Sequence, residues 1–377
     1  MNYSLSRRAV LKWLEMPSVY HIAKDELYEL DDESFRFLKK CATNDGGAST
    51  SSAFVDYCME EGLLTARHAF GRRHPLLIRA PEPSLRYLEL QITSACNLRC
   101  KHCYINDNAR EELSPRQIRD VLVEFEEMQG LRVMLTGGEP LLHSRFNEIN
   151  EMLPDFFLRK VLFTNGMLLR KDLLKALKVD EIQISIDGLE KAHDAIRGSG
   201  TFNSSMQALG QALDAGFDVS VSTMVHRENL TDFDRMERMF KEIGIKDWTV
   251  DVPCATGRLR EHAGFFVGPE EGGKYLGYGF GSGLHSSGQG FGCGLHLMAV
   301  TASGKIAKCT FYEDRAVGSV EQGLMNAWGK IEPVRLKDLA CACEYLEVCR
   351  GGCRYRAELS GEKGGKDLYR CNLYGIL

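Results

Sequence analysis

The feature that most constrains the fold is an alternation of predicted strands and helices that begins at Arg86. The predicted strands are Arg86–Thr93, Arg132–Thr136, Lys160–Thr164, Glu181–Ile186, Asp218–Val225 and Trp248–Val252. The predicted helices are Ser114–Gln129, Arg145–Leu153, Arg170–Leu177, Phe202–Ala215 and Asn229–Ile243. Strands that alternate with helices form a parallel sheet with crossover helices. Six such units are too few for a closed eight-unit barrel. The sequence therefore predicts an α/β fold with a partial (β/α)6 TIM barrel over residues 86–263.

The segments on either side of the barrel read differently. Residues 1–65 contain three short predicted strands followed by two helical stretches, which predicts a small winged-helix-like α+β domain. These strands are Ala9–Leu14, Ser18–Ala23 and Glu26–Leu30. Residues 66–85 contain several prolines and are predicted to be a linker. Residues 264–377 are predicted to form a glycine-rich loop, up to residue 292, and a cysteine-rich domain.

Composition excludes several classes of protein. The formal net charge of −5 gives no basic surplus for nucleic-acid binding. The sequence has no apolar run long enough for a membrane span, and no apolar segment follows the basic residues near Met1 to make a signal peptide. We therefore expect a cytoplasmic protein without nucleic-acid or membrane partners. In a reducing cytosol, its 13 cysteines are better explained as metal ligands than as disulfides.

Three of these cysteines, Cys96, Cys100 and Cys103, lie in one short loop directly after the first barrel strand. Open α/β folds place their chemistry at the carboxyl ends of strands, where this loop begins. Three thiolates leave one iron of a [4Fe–4S] cubane free for a ligand, whereas a closed structural zinc site needs four protein ligands. A zinc site or three reduced core thiols remain the alternatives from spacing alone.

The Cys-x3-Cys-x2-Cys segment resembles the signature of the radical SAM superfamily, and the ends of the following strands match in order. The resemblance implies that Cys96, Cys100 and Cys103 hold the catalytic cluster. It further implies that S-adenosylmethionine (SAM) binds the free iron and is cleaved to a 5′-deoxyadenosyl radical, which abstracts hydrogen from a substrate. The implied SAM-binding residues are Gly137, Gly138, Glu139, Pro140, Asn165, Ser185, Asp187, Arg197 and Val225.

The same resemblance implies which part of SAM each of these residues would contact. The two glycines would let the backbone approach the methionyl amino group, and Glu139 would neutralise its charge. Ser185 and Arg197 would bind the carboxylate or the ribose. Val225 would pack near the adenine, with an ordinary strand residue as the alternative. His102, which precedes Cys103, would also pack near the adenine.

The cysteine-rich tail resembles the SPASM extension of peptide-modifying radical SAM enzymes, which implies two auxiliary [4Fe–4S] clusters. By this likeness, Cys293, Cys309 and Cys353 would serve the first cluster. Cys341, Cys343, Cys349 and Cys371 would serve the second. Two full cubanes need eight thiolates and the tail supplies seven, so Cys254 is either the eighth or one iron stays open to substrate. A single residue between Cys341 and Cys343 departs from the usual spacing of two. One or two all-thiolate zinc sites are the alternative.

The N-terminal domain is similar to the recognition element of enzymes that modify ribosomally made peptides (RiPPs). The likeness rests on the segments Pro17–Ile22, Glu26–Leu30 and Phe35–Leu38. Such elements bind a leader peptide as an added strand, and we expect Glu26–Leu30 to be the receiving edge. A simple packing domain is the alternative. Cys41 and Cys58 are expected to be small buried apolar residues.

These resemblances imply a maturase that forms a thioether or another crosslink in a peptide. Its partners would be a leader-bearing peptide and an electron donor such as flavodoxin or ferredoxin. Within the same chemistry, the alternatives are a tetrapyrrole-modifying enzyme and a sulfatase-type formylglycine maturase. Outside it, the alternative is a zinc-binding winged-helix regulator.

Overall fold

A sheet of nine strands within the described residues forms the centre of the molecule. The computed structural model describes residues 2–48, 51–66, 74–105, 110–285, 290–361 and 364–377. The strands are β1 (Ser4–Leu5), β2 (Ala9–Trp13), β3 (Pro17–His21), β4 (Glu26–Glu29), β5 (Leu64–Thr65), β6 (Tyr87–Thr93), β7 (Arg132–Gly137), β8 (Arg159–Thr164), β9 (Glu181–Ser185), β10 (Asp218–Met224), β11 (Asp247–Asp251), β12 (Leu297–Val300), β13 (Lys305–Ala307) and β14 (Gly318–Ser319).

The α-helices are mostly short and connect or flank these strands. They are α1 (Asp32–Cys41), α2 (Ser52–Glu60), α3 (Pro115–Glu127), α4 (Phe146–Met152), α5 (Lys171–Ala176), α6 (Glu190–Arg197), α7 (Thr201–Asp214), α8 (Phe233–Glu242), α9 (Pro269–Gly272), α10 (Leu324–Trp328), α11 (Leu346–Cys349), α12 (Arg354–Leu359) and α13 (Leu368–Leu373). In the described part of the chain, no helix has the length and apolar character needed to cross a membrane.

The predicted partial (β/α)6 barrel is confirmed. Strands β6 to β11 are neighbours in chain order and pair in parallel, each with the next. Helix α3, the first crossover, begins where the sequence predicts, because Ser114 and Gln117 form a reciprocal capping box ahead of Pro115. Alternate residues of β6, Leu88, Leu90 and Ile92, belong to the core between the sheet and the helices.

The inner face of the barrel changes character along the strands. Towards the amino ends it is closed by a small apolar cluster of Tyr87, Met134 and Val161, with Leu297 packed against it. Towards the carboxyl ends, the inward residues that line a cavity are polar, among them Gln183, Ser185 and Ser222. The barrel is therefore closed at one end and open to ligand at the other.

The sheet extends further than the six predicted strands. Strand β12 pairs in parallel with β6, and β13 and β14 continue antiparallel from it. Sequence reasoning missed this pairing because its partners, Leu297 and Tyr87, are far apart in the chain. It also missed the charged helix α6. The proposed boundary at residue 263 stays a prediction, since the first strands of the cysteine-rich part belong to the barrel sheet.

The segment 264–292, predicted as a loop, is partly helical. Helix α9 and a 3-10 turn at Gly273–Gly277 pack against α13. A Cβ atom on Gly273 would lie 2.6 Å from the carbonyl oxygen of Tyr369, so glycine permits this close approach. Residues 286–289 lie outside the described residues.

The N-terminal domain contains the three predicted strands as an antiparallel sheet in the order β2-β3-β4. Helix α1 begins after Asp31, whose carboxylate accepts a hydrogen bond from the Ser34 amide at 2.7 Å. Cys41 and Cys58 are each 1 % exposed within this domain's core, as expected. Of the predicted linker, residues 66 and 74–85 are described.

A buried ion network fastens this domain to the amino ends of the barrel strands. The guanidinium of Arg159 donates to the carbonyl oxygens of Ile22 and Ala23 at 2.9 Å each. The same group binds the carboxylates of Glu181 and Asp218 at 2.8 and 2.6 Å. Asp25, in the turn between β3 and β4, pairs with Arg132 at the start of β7. The domain therefore sits at the end of the barrel opposite the cavity.

Candidate cluster and cofactor site

A cavity of about 270 Å³ opens at the carboxyl ends of the barrel strands, and we call it the barrel cavity. Its lining includes most of the residues predicted for the catalytic cluster and SAM, together with Cys254. These are Cys96, Cys100, Cys103, Gly137, Gly138, Asn165, Ser185, Asp187, Arg197 and Cys254. Glu139, Pro140 and Val225 are predicted site residues that do not line it. The structure thus brings together three thiols and a set of polar groups from separate strands.

The three-cysteine loop is held from several sides. The side chain of Asn165, after β8, donates to the Asn97 side chain at 2.8 Å. Arg258, after β11, donates through Nε to the carbonyl oxygen of Cys100 at 3.0 Å. The Lys101 amide donates to the last turn of α6 at 2.9 Å. Asn97 and Arg258 were not predicted as site residues. Asn97 lies inside the motif, while only the fold brings Arg258 to it.

The thiols of Cys96 and Cys100 favour the protonated form in the absence of metal. Burial raises the pKa of Cys96 to about 11 and also raises that of Cys100, although Arg197 opposes the shift at Cys100. Metal binding deprotonates cysteine and so overcomes this preference. Three sulfur donors beside a ligand-sized cavity fit a cubane with one free iron.

Gly137 and Gly138 have a packing role within the protein, and their predicted contact with a ligand stays a prediction. A Cβ atom on Gly138 would lie 2.4 Å from the carbonyl oxygen of Ala95, and one on Gly137 would lie 2.2 Å from that of Thr93. The glycines therefore let the end of β7 pack directly against the start of the cysteine loop. Hydrogen bonds join the two segments, including Glu139 N to Ala95 O at 2.7 Å.

Glu139 has partners within the protein, and its role as a counter-ion for SAM stays a prediction. Its carboxylate is fully buried and accepts from Thr164 Oγ1 and the Asn165 amide, both at 2.9 Å. Burial raises its pKa to about 7 in spite of these donors. The side chain thus ties the end of β7 to the end of β8. Pro140 is buried as the first residue of the short 3-10 helix Pro140–Leu142.

Asp187 is the centre of a buried polar cluster at the end of β9. Its carboxylate accepts from Arg197 Nε at 2.6 Å and from the Met224 amide at 2.7 Å, and His102 Nε2 lies 3.5 Å away. Burial alone would raise the pKa of Asp187, but Arg197 and His102 hold it well below its usual range. Asp187 is therefore a carboxylate that fixes the guanidinium of Arg197.

Two histidines that the sequence did not single out complete this cluster. The ring of His193 accepts from the Asp187 amide at 3.1 Å, and the ring of His226 bonds the Asp187 carbonyl oxygen at 2.7 Å. Burial lowers the pKa of His102 and His193 to about 4, so both are neutral at pH 7. Among the buried side-chain atoms described, His102 Nδ1 and His193 Nε2 lack a hydrogen-bond partner.

Val225 is placed in the core rather than in the barrel cavity. It is fully buried among the residues between sheet and helices, while its neighbour Met224 lines the cavity. Strand alternation explains the difference, since Ser222 and Met224 face inwards. An aromatic wall completes the cavity, where the rings of Tyr104 and Phe311 are 4.7 Å apart.

The tail cysteines fall into two groups. Cys341, Cys343, Cys349 and Cys371 line one small cavity of about 20 Å³. In the other group, Cys254 lies beside Cys353, and a hydrogen bond from the Cys254 thiol lowers the pKa of Cys353. Cys293 and Cys309 lie within electrostatic range of Cys353. Cys254, offered by the sequence as a possible eighth ligand, lines the barrel cavity and lies beside Cys353, and the assignment of the tail cysteines to clusters stays a prediction.

Comparison with known proteins agrees with this geometry. Residues 90–240 match the sequence profile of the radical SAM superfamily. The chain carries a radical SAM domain. The resemblance seen in the sequence is thereby confirmed for residues 90–240, and this family implies SAM and a [4Fe–4S] cluster as cofactors.

Two similar proteins match different shares of the chain. The AdoMet-dependent heme synthase of Nitratidesulfovibrio vulgaris is 30% identical over 192 residues, which are 49% of this chain and 52% of that protein. The chain thus spans about half the length of this relative. The mycofactocin maturase MftC of Mycolicibacterium smegmatis is 28% identical over 304 residues, 71% of this chain and 77% of its own length.

A solved structure resembles nearly the whole chain. The crystal structure of Streptococcus suis SuiB bound to precursor peptide SuiA superposes with a TM-score of 0.69 at 14% identity. It covers 98% of this chain and 100% of the SuiB chain. At this identity the likeness shows the fold, which includes the domains on both sides of the barrel.

Proposed function

We propose that this radical SAM enzyme modifies a ribosomally made peptide and recognises it through a leader segment. The observation that carries the proposal is an open sheet edge in a domain that is fastened to a radical SAM barrel. Two names among the similar proteins support it, a mycofactocin maturase and SuiB with its precursor peptide.

The open edge is β4. The Leu30 amide donates to the Pro17 carbonyl oxygen at 2.8 Å, so residues 26, 28 and 30 face β3. Backbone bonds alternate in antiparallel pairs, which leaves the amide and carbonyl groups of Leu27 and Glu29 facing away from the sheet. An added peptide strand needs such groups. Tyr28 and Tyr57 of α2, with ring centroids 6.3 Å apart, flank this edge.

The opposite edge of this sheet is already covered. The Ala80 amide donates to the Trp13 carbonyl oxygen on β2 at 2.8 Å, and the Trp13 amide donates to Gln129 at 3.3 Å. Lys12 of the same strand is buried against the barrel. These contacts leave β4 as the edge that a leader would use.

We further propose three clusters. The catalytic one is held by Cys96, Cys100 and Cys103, and the second auxiliary one by the four cysteines that line the small tail cavity. The first auxiliary cluster takes Cys254, Cys293, Cys309 and Cys353. With Cys254 included, both auxiliary clusters have four thiolates, so no auxiliary iron is open to a substrate sulfur. This favours a carbon–carbon or carbon–oxygen crosslink, or another oxidation, over thioether formation.

The residues of the barrel cavity would bind and shield SAM. When bound, the catalytic cluster supplies the electron that cleaves the carbon–sulfur bond of SAM. Ser185 and Asn165 present polar groups to the cavity, and Arg197 presents a fixed cation that suits the SAM carboxylate. The apolar cluster of Tyr87, Met134 and Val161 keeps water from entering the barrel at the amino ends of its strands. A flavodoxin or ferredoxin would supply the electron.

The test begins with anaerobic purification and counts of iron and sulfide. About twelve irons per chain, and 5′-deoxyadenosine formed from SAM with dithionite, are expected for three cubanes. About four irons with turnover would remove the auxiliary clusters from the proposal. Zinc without 5′-deoxyadenosine would overturn it.

Leader recognition is tested with peptides from the short reading frames that flank the gene. Glu29→Pro removes an outward amide without breaking the β3 ladder, and should weaken peptide binding tenfold or more. Asp32→Pro is the matched control, because proline is favoured at the first position of a helix. Equal binding by both variants would contradict recognition at β4.

A second candidate is modification of a tetrapyrrole, which the likeness to an AdoMet-dependent heme synthase favours. It predicts that a carboxylated tetrapyrrole, rather than any flanking peptide, increases 5′-deoxyadenosine formation. The Glu29→Pro variant would then behave like the unmodified enzyme.

A further inference from the structure

The guanidinium of Arg197 lies between a buried carboxylate and a cluster cysteine. Its Nε donates to Asp187 at 2.6 Å, and its Nη1 lies 3.9 Å from the sulfur of Cys100, within reach of an N–H···S hydrogen bond. The sequence implied only a contact with SAM for this residue. Its position indicates a contact with the cluster as well.

We propose that Arg197 donates a hydrogen bond to the Cys100 sulfur when that sulfur holds iron, and so raises the reduction potential of the catalytic cluster. The inference rests on the proposed function only in requiring a cluster on Cys96, Cys100 and Cys103. Hydrogen bonds to cluster sulfurs stabilise the more negative, reduced state. Arg197 is thus a positioning and tuning residue.

The surroundings keep the guanidinium in place. Asp187, whose side chain is 1% exposed, is held by the Met224 amide through its second oxygen. Its backbone amide donates to the ring of His193, and its backbone carbonyl oxygen is hydrogen-bonded to the ring of His226. Because the carboxylate cannot turn, Arg197 keeps the orientation that directs Nη1 to the sulfur.

The ion pair between Arg197 and Asp187 also separates the effect of the arginine's charge from the effect of its hydrogen bond. The negative charge of Asp187 largely cancels the positive charge of Arg197 at a distance, since the two are in contact in a buried site. What remains at Cys100 is the directed N–H group. The hydrogen bond, rather than net charge, should then set the potential.

The chain contains a matched control. Arg258 also lies beside Cys100, but it donates to the carbonyl oxygen of that residue at 3.0 Å and not to the sulfur. Arg197→Lys and Arg258→Lys both keep a positive charge near the loop. In Arg197→Lys, the single nitrogen of the ammonium can keep the pair with Asp187, but no second nitrogen lies beside the Cys100 sulfur.

The experiment is a redox titration of the reconstituted holoenzyme followed by electron paramagnetic resonance, without SAM or peptide. The catalytic cluster is identified as the reduced signal that Cys100→Ala removes. In Arg197→Lys, we expect the ratio of reduced to oxidised catalytic cluster at a fixed potential to fall about tenfold, or about 59 mV for one electron. Arg258→Lys should change the ratio much less, because it removes a hydrogen bond to the loop backbone and not one to the sulfur.

Equal shifts in the two variants, or no shift in Arg197→Lys, would overturn the proposal. If Arg197→Lys does not assemble its cluster, Arg197→Gln/Asp187→Asn removes both charges together and should show the same fall. A SAM affinity that drops in Arg197→Lys without any change of potential would make Arg197 a SAM ligand only. Absence of a cluster from the unmodified enzyme would instead contradict the proposed function.

Discussion

The two ends of the barrel use polar residues in opposite ways. At the amino ends, Arg159 is fully buried and its donors are taken up by two carboxylates and two backbone carbonyl oxygens. At the carboxyl ends, thiols and polar side chains face the barrel cavity, and His102 Nδ1 is buried without a partner among the described residues.

This difference indicates which polar groups are structural. Buried charges that are paired on all sides attach one domain to another, and removing one partner is costly. Buried polar groups that face a cavity remain available to a ligand. The same parallel sheet therefore carries the N-terminal domain at one end and the candidate cofactor site at the other.

The largest expected effect is at the carboxyl ends. Cys100→Ala should remove the catalytic cluster, so 5′-deoxyadenosine formation falls to background and iron falls from about twelve to about eight per chain. Iron analysis and chromatography of the product measure both. Cys58→Ala, in the N-terminal core, should keep all of the iron. If Cys100→Ala retained turnover, the catalytic assignment of the loop would be wrong.

At the amino ends, Arg159→Met should destabilise the protein by about 3–5 kcal/mol, because it leaves Glu181 without its partner in a buried site. Urea unfolding gives the change in the free energy of unfolding. Arg119→Met, which breaks an exposed pair with Asp155 at 3.0 Å, should cost less than about 1 kcal/mol. Similar values for both would mean that the network does not fasten the two domains.

Sequence reasoning succeeded where the signal is local. Strands β6 to β11 and the start of α3 follow from alternation, apolar periodicity and a capping box. The three cysteines, Asn165 and Ser185 were placed at strand ends, and parallel strands bring their ends to one edge. These parts of the site needed no knowledge of distant contacts.

It failed where distant residues decide the outcome. Nothing local to Asp25 shows that it will meet Arg132, and Arg258 reaches the cysteine loop only through the fold. The structural role of Glu139, which ties β7 to β8, was missed because its donors come from the next strand. Val225 lies in the core while Met224 lines the cavity, because neighbouring residues of a strand face opposite sides, which favours the alternative of an ordinary strand residue.

Gly138→Ala tests the close packing that carries the cysteine loop. The added Cβ would lie 2.4 Å from the Ala95 carbonyl oxygen, so one backbone segment must move, at a cost of about 1–3 kcal/mol. Cluster content and thermal unfolding report the change. Gly210→Ala is the matched control, since its Cβ meets no atom within 4 Å, and alanine in α7 should stabilise by about 0.5–1 kcal/mol. A tolerated Gly138→Ala with full iron would show that the loop can shift freely.

The smallest effect concerns pH at the amino ends. Lys12 is 1% exposed and donates to the Gly130 carbonyl oxygen at 2.6 Å, and burial lowers its pKa from 10.5 to about 8. Between pH 8 and 10.5, Lys12 is protonated in the unfolded chain but has released its proton in the folded protein. The stability of the protein therefore rises with pH in this range, and this contribution is lost as pH falls through about 8. From pH 7 to 9, the gain should be about 1 kcal/mol.

The comparison with Lys12→Met isolates this contribution from the other titrating groups. Urea titrations at pH 7, 8 and 9 give the free energy of unfolding of the unmodified protein and of Lys12→Met. As pH rises, the stability of the unmodified protein should increase relative to that of Lys12→Met. A difference that does not change with pH would mean that Lys12 keeps its ordinary pKa. The ammonium would then have to be hydrated, and the contact between the N-terminal domain and the barrel would be less tightly packed than the hydrogen bond to Gly130 indicates.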